Sequence, residues 1–369
     1  MRTLLVTLFL LIVLAGVGAF FFGNTVWGRV HEPYKGYDGA EQFVDIPPGT
    51  GMAAIRRRLV DAGVVRDDTV LRVALWWTGE SRNIRAGEYR FDRAMTPVEV
   101  VETLARGAVY TRSITFPEGL TIQEMARIYE SREFGSARDF TQAAADASLI
   151  NDLDPAARDL EGYLFPDTYA LPRGTPASRL VALMLDRFKA SYPEDARAAA
   201  RAQDLTTRQV MTLASLVEKE TGKPEERSIV AAVYRNRLRI RMPMQADPTV
   251  VYALMRAGKY NGNIRREDLS MDSPYNTYRY PGLPPGPIAA PGKASIDAAL
   301  MPADVPYLYF VSRNDGSHVF ASTLAEHNRN VQRYQVEFFR RGGRGARGGR
   351  GQGDGGRAVS GGRRGGRGG

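Results

Sequence analysis

The sequence contains no cysteine, and that absence closes several routes at once. There can be no disulfide, no thiol nucleophile and no Cys-ligated metal. The compartment stays open, because exported chains also do without cysteine. Histidine is scarce: His31, His318 and His327 are the three, and only the last two can share a domain. A multi-His zinc centre is therefore not expected, and neither a metal nor a cofactor is implied. The body of the chain also lacks a charge excess. Arg340 to Gly369 hold nine Arg and one Asp, a net of +8, which leaves the other 339 residues +1 of the overall +9. Basicity belongs to this Gly/Arg tail, residues 340–369, which is too poor in apolar residues to fold and is expected to be disordered.

Long apolar runs are equally rare. One exists, Leu4 to Phe22, LLVTLFLLIVLAGVGAFFF, with no charge in 19 residues. At about 1.5 Å per residue it reaches across a bilayer core. A cleaved signal would have a shorter apolar region, and bulky Phe20, Phe21 and Phe22 follow the small residues of AGVGA. The segment reads as an uncleaved transmembrane anchor, residues 4–22, behind a cytoplasmic stub, residues 1–3. Arg2 and the terminal amine favour the N-terminus inside. Everything after the anchor is then extracytoplasmic, beginning with a linker over residues 23–41.

An internal repeat opens the remainder. VDIPPGTGMAAIRRRL and ITFPEGLTIQEMARIY align at a constant shift of 70. Ile46 matches Phe116, Pro47 matches Pro117, Gly49 matches Gly119. Each copy reads as a strand, a Pro-x-Gly turn and a helix with apolar residues at helical spacing. The repeat suggests two small α+β modules, 42–110 and 111–158. In the first, Gly87 to Phe91 reads as a strand. Thr96, Pro97 and Glu99 read as a helix start, with Gly107 as its stop. Residues 159–339 then form a larger mixed domain. DLEGYLFPDTYALPRGTP is an ordered loop or short strand, and the Ala-rich run from Ser178 to Ala202 is helical. Tyr307 to Val311 pairs through Asn314-Asp315-Gly316 with His318 to Ala321, and a helix from Leu324 to Phe339 closes the domain.

Within it, LASLVEKETG (213–222) puts carboxylates on an otherwise apolar helix. At about 100° per residue, Glu218 lies at one edge of the apolar face and Glu220 at the other, with Lys219 pointing away. Either could pair with a nearby Arg or Lys. Either could instead line a cleft, where apolar neighbours keep a carboxyl protonated for general-acid work. Periodicity does not choose between them.

LASLVEKETGKPEERSIVAAVYRNRL, with LEGYLFPDTY, MQADPTVVYAL, YNTYRYPGLPPGPIAAPG and YLYFVSRNDGSHVFASTLAEHN, resembles the YceG-like endolytic murein transglycosylases, MltG-type. The resemblance runs from about Phe43 to Gln335. It implies an α+β protein: a single transmembrane helix, LysM-like glycan-binding modules, a catalytic domain and a disordered tail. It implies that Glu218, first carboxylate of the VEKE motif, is the catalytic acid/base, with Glu220 in support. The substrate would be peptidoglycan glycan strands, cut at internal MurNAc–GlcNAc bonds to leave 1,6-anhydro ends.

Other motif residues carry two readings each. Asp247 is a sound N-cap ahead of Pro248 or a substrate ligand. Gln245 could hydrogen-bond an N-acetyl group. Tyr275 and Tyr278 could pack on sugar faces and Asn276 could orient the reacting sugar, or all three could fill an irregular region. His318 and Asn328 are candidates to line the cleft, whereas Glu326 is expected to tie the hairpin to the last helix. A reading of another class is a non-catalytic, membrane-anchored scaffold for peptidoglycan synthases. Nucleic acid is not an expected partner, since the basic tail shares the extracytoplasmic side.

Overall fold

The computed structural model describes residues 2–338 and residue 340. Apart from Arg340, the expected disordered tail lies outside the described residues. The protein is mixed α+β and divides into two compact units. The first comprises residues 1–117, 123–145 and 166–184; the second comprises 118–122, 146–165 and 185 onward.

The first unit begins with α1 (Arg2–His31), the one apolar helix among the described residues long enough to cross a membrane. It runs nine residues past Phe22, into the stretch 23–41 expected to be a linker. The reason is packing: Val26 and Val30 join the core of the first module, and Val30 is fully buried there. Around that core lie β1 (Gln42–Ile46), α2 (Met52–Asp61), α3 (Asp68–Thr78), β2 (Gly87–Phe91) and α4 (Pro97–Arg106). Strands β1 and β2 are antiparallel, with Val44 opposite Tyr89. Their alternation sends Val44, Ile46, Tyr89 and Phe91 inward. Thr96 and Glu99 form a reciprocal capping box at the head of α4, and Gly107 ends it in the left-handed conformation.

The second copy of the repeat supplies β3 (Thr111–Thr115) and α5 (Ile122–Ser131), followed by α6 (Ala137–Ala144) and β4 (Thr168–Pro172). Strand β3 pairs antiparallel with β4, so this small sheet draws its second strand from beyond residue 158, and residues 166–184 group with the first unit. Phe116, Tyr129, Phe140 and Tyr169 make its aromatic core. The repeat's matched glycines, Gly49 and Gly119, both adopt φ near +80°, at 80° and 77°. That conformation explains why each Pro-x-Gly turn keeps its glycine.

The Ala-rich run is two helices, α7 (Ala177–Ser191) and α8 (Glu194–Arg201). Pro193 separates them, since it cannot donate the backbone bond that a continuous helix needs. In the second unit, α9 (Thr207–Glu220) packs against α10 (Arg227–Arg239), α11 (Asp247–Arg256) and α12 (Lys293–Leu300). A Thr206–Gln209 capping box starts α9, and every residue from Val210 to Val217 is buried. The hairpin β5 (Tyr309–Ser312) and β6 (His318–Ala321) leads into α13 (Leu324–Val331), which is followed directly by a π-helix over Gln332–Glu337. Arg237 fastens the hairpin by donating from Nε to Leu308 O at 2.7 Å and from its Nη1 to Met244 O.

Candidate active site

Helix α9 is buried until its last turn, and the carboxylates emerge where it ends. Glu218 keeps only 7% of its side-chain surface exposed. Its Oε2 accepts the main-chain N–H of Gly292 at 3.0 Å. Its Oε1 lies 3.6 Å from Arg227 Nη2. The same Nη2 lies 3.8 Å from Glu118 Oε2. One guanidinium therefore serves two carboxylates, and the Arg227 Nε is buried with no hydrogen-bond partner. Burial raises the Glu118 carboxyl above the ordinary glutamate range; the charge of Glu218 adds to the rise and Arg227 opposes it.

Backbone economy brings Glu118 there. The segment 118–122 leaves β3 and joins the second unit. Gly119 donates to Ala290 O and Ala290 donates to Leu120 O, both at 2.8 Å. Lys219 Nζ donates to Gly119 O at 3.0 Å. Gly292 has ordinary backbone angles, yet a Cβ there would overlap the Glu118 carboxylate. Its lack of a side chain is what lets both carboxylates approach one point.

Glu220 takes other company. It accepts the Tyr234 hydroxyl at 2.7 Å. Burial pushes its carboxyl up to about 6; Asp247 raises it further, and Tyr234, His318 and Arg237 hold it down. Asp247 occupies the first turn of α11, one residue inside the expected cap position, and Ala246 is the cap residue. Its carboxylate instead accepts the Tyr278 hydroxyl at 2.6 Å. Burial raises the Tyr278 phenol, and its bond to Asp247 adds to that. His318 donates its main-chain N–H to Glu226 Oε1 at 2.8 Å, and its Nδ1 lies 2.7 Å from Glu226 Oε2. Hydrogen bonds from His318 outweigh burial at Glu226 and lower its carboxyl. Glu220, Asp247, Tyr278 and His318 thus form one electrostatic group.

The remaining candidates stand apart from both groups. Gln245 is exposed, with φ of 48°, and donates its N–H to Thr277 O. Asn276 is fully buried. Its amide donates to Leu269 O and Met271 O and accepts Tyr278 N–H, so it is spent on holding its own loop rather than free for a sugar. Tyr275 packs 4.9 Å from the Tyr252 ring under Arg256. Glu326 accepts Ser322 N–H at the start of α13, a local cap. Asn328 is exposed on α13.

Glu118 and Arg227 escaped the sequence reading. A signal existed for Glu118: the first copy of the repeat carries Pro48 where the second carries this carboxylate. Glu161 lies within the LEGYLFPDTY stretch. It is buried, accepts Ile122 N–H at 3.0 Å and the Tyr252 hydroxyl at 3.1 Å, and burial pushes it up to about 8. Among the described residues, no three of His, Asp and Glu group as metal ligands would.

Fold and site together define an α+β protein in which two carboxylates, Glu118 and Glu218, share one arginine at the end of a buried helix. The chain belongs to the YceG-like family, whose model matches residues 44–333. It is 33% identical over 334 residues to an endolytic murein transglycosylase of Bacillus subtilis, covering 86% of this chain and 90% of that one. It is 29% identical to the endolytic murein transglycosylase of Streptococcus pneumoniae strain D39, over 78% of this chain and 57% of that longer protein. A solved structure described as a yceG-like protein of Listeria monocytogenes matches with a TM-score of 0.54 at 31% identity. That match covers 79% of this chain and 98% of the other.

Proposed function

We propose that this chain is a membrane-anchored endolytic murein transglycosylase that cuts internal MurNAc–GlcNAc bonds of peptidoglycan glycan strands. The observation that carries the reading is Glu218: a nearly buried carboxylate at the end of α9, oriented by Gly292 N–H and Arg227. Family membership and the names of the relatives supply the reaction class.

In the proposed reaction Glu218, protonated, gives its proton to the glycosidic oxygen as the C1–O bond breaks. The resulting carboxylate takes the proton of the MurNAc C6 hydroxyl as that oxygen bonds to C1. The product ends in 1,6-anhydroMurNAc, and no water is consumed. An acid must hold its proton before the bond breaks. Glu118, which shares Arg227 with Glu218, is the positioning partner in that pair.

In the wider reading, α1 anchors the chain in the cytoplasmic membrane with the N-terminus inside. The modules at 42–110 and 111–158 are LysM-like and hold glycan. The enzyme works beside peptidoglycan synthases.

A second reading is favoured by Glu118 itself. Ordinary glycosidases use two carboxylates, one of which activates water or attacks the sugar. Purified strands digested in heavy-oxygen water separate the two. Anhydro ends without label support the transglycosylase. Labelled reducing ends make the protein a hydrolase with Glu118 as the second carboxylate.

A further inference from the structure

The chain has three tryptophans, and all of them gather in one place. Trp27 lies near the end of α1, and Trp76 and Trp77 lie at the end of α3. Helix α3 spends Val70, Leu71, Ala74 and Leu75 on the module's core. Its two tryptophans turn outward instead: Trp76 is 77% exposed and Trp77 54%. Trp27 is 41% exposed, and the Trp77 ring meets it edge-on at 4.6 Å. Tryptophan is usually buried for its large apolar surface, so two exposed rings in contact, with a third exposed ring beside them in the chain, mark a contact surface.

The position of the cluster along α1 points to what covers it. The apolar run ends at Phe22, and Phe20, Phe21 and Phe22 are all exposed. Five residues further, at 1.5 Å each, Trp27 stands roughly 7–8 Å beyond that end. The headgroup layer on one side of a bilayer is about that thick. Trp77, in contact with Trp27, shares its level. Arg72 lies one helical turn before Trp76 on the same face, exposed and paired with Asp68 at 2.8 Å. Aromatic rings with a neighbouring arginine match the interfacial belt of membrane proteins.

We propose that Trp27, Trp76 and Trp77 seat the first module in the phospholipid headgroup layer of the membrane that α1 crosses. The inference rests on the reading of α1 as an anchor. Continuity with that helix favours lipid over a glycan strand, which aromatic rings could also stack on. Seated in this way, the first module is held against the membrane surface rather than swinging on a flexible stalk.

The test uses full-length protein in phosphatidylcholine–phosphatidylglycerol vesicles. Trp27→Phe leaves Trp76 and Trp77 as the emitters, and adding Trp76→Phe isolates Trp77. The expected emission is blue-shifted. A headgroup-level nitroxide should quench it about twofold more than one at the chain ends, and aqueous iodide should do little. Emission that stays red, yields to iodide and ignores lipid quenchers overturns the proposal. So does a blue shift that appears only when glycan strands are added. Alkaline carbonate extraction separates the two readings. Protein that resists extraction but shows no lipid quenching refutes the patch alone, whereas protein that is extracted and unquenched refutes the anchor as well.

Discussion

The main-chain N–H of Gly292 points at Glu218 Oε2 from 3.0 Å. Glu220, two residues further along α9, takes its hydrogen bond from the Tyr234 hydroxyl at 2.7 Å. The same helical turn thus delivers two carboxylates to two different settings. Glu218 meets a backbone donor and an arginine that a second carboxylate, Glu118, shares. Glu220 meets a phenol whose own ionisation burial suppresses, and Glu220's charge suppresses it further. Helical periodicity leaves the two alike; their neighbours differ.

Glu218→Gln should abolish strand cleavage, a loss of roughly 10²- to 10⁴-fold or more for a general acid. The thermal midpoint should hardly move, because the amide oxygen still accepts Gly292 N–H. Glu220→Gln should keep measurable turnover, within about tenfold of the parent, since Tyr234 can still donate to the amide oxygen. Turnover assays and thermal melts on both variants check this. The reverse order of activities would move the catalytic role to Glu220.

Gly292→Ala tests the proximity of Glu118. The backbone at 292 suits alanine, with φ of −76°. The three atoms nearest that Cβ all belong to the flexible end of Glu118, which can swing aside. The variant should fold normally yet lose activity as Glu118 leaves its place beside Arg227. In Glu118→Ala the clash is gone, so adding Gly292→Ala should cost little more. A double-mutant cycle should show strong non-additivity, on the order of 1 kcal/mol or more in the activation free energy. Additive losses would mean that Glu118 does not act through this contact.

Much of the scaffold was legible because its signals are local. The repeat at a shift of 70 marked β1 with α2 and β3 with α5. Thr96, Pro97, Glu99 and Gly107 marked both ends of α4. The hairpin turn at Asn314-Asp315-Gly316 marked β5 and β6. What stayed hidden depends on contacts far apart in the chain. The partner of β3 lies more than fifty residues on, at β4. Glu118 and Glu218 meet across a hundred residues, around Arg227 and a glycine that no periodicity distinguishes. Asn276 looked available for substrate because sequence cannot show an amide already occupied by its own loop.

The helix start at α9 offers a stability test away from chemistry. Thr206 accepts the Gln209 N–H, and Gln209 in turn accepts the Thr206 N–H. Thr206→Ala removes one half of this box and should cost about 1 kcal/mol. Denaturant unfolding should show that loss with an unchanged slope. Turnover per folded molecule should be unchanged, because the site lies at the other end of the helix.

Glu161 predicts the pH dependence of folding. Its carboxyl, ordinarily near 4.5, is pushed up to about 8 by burial, against the hydrogen bonds from Ile122 N–H and Tyr252. Between those values the unfolded chain has released the proton and the folded chain still holds it. Folding is therefore favoured most below about 4.5, and stability falls as pH rises toward about 8. The full contribution is on the order of 5 kcal/mol. Glu161→Gln cannot ionise and keeps an oxygen to accept both bonds. Unfolding free energies of the parent and of Glu161→Gln, measured across this range, should diverge with rising pH, with the parent losing stability relative to the variant. Parallel curves would show that Glu161 ionises as readily in the folded protein as in the unfolded chain.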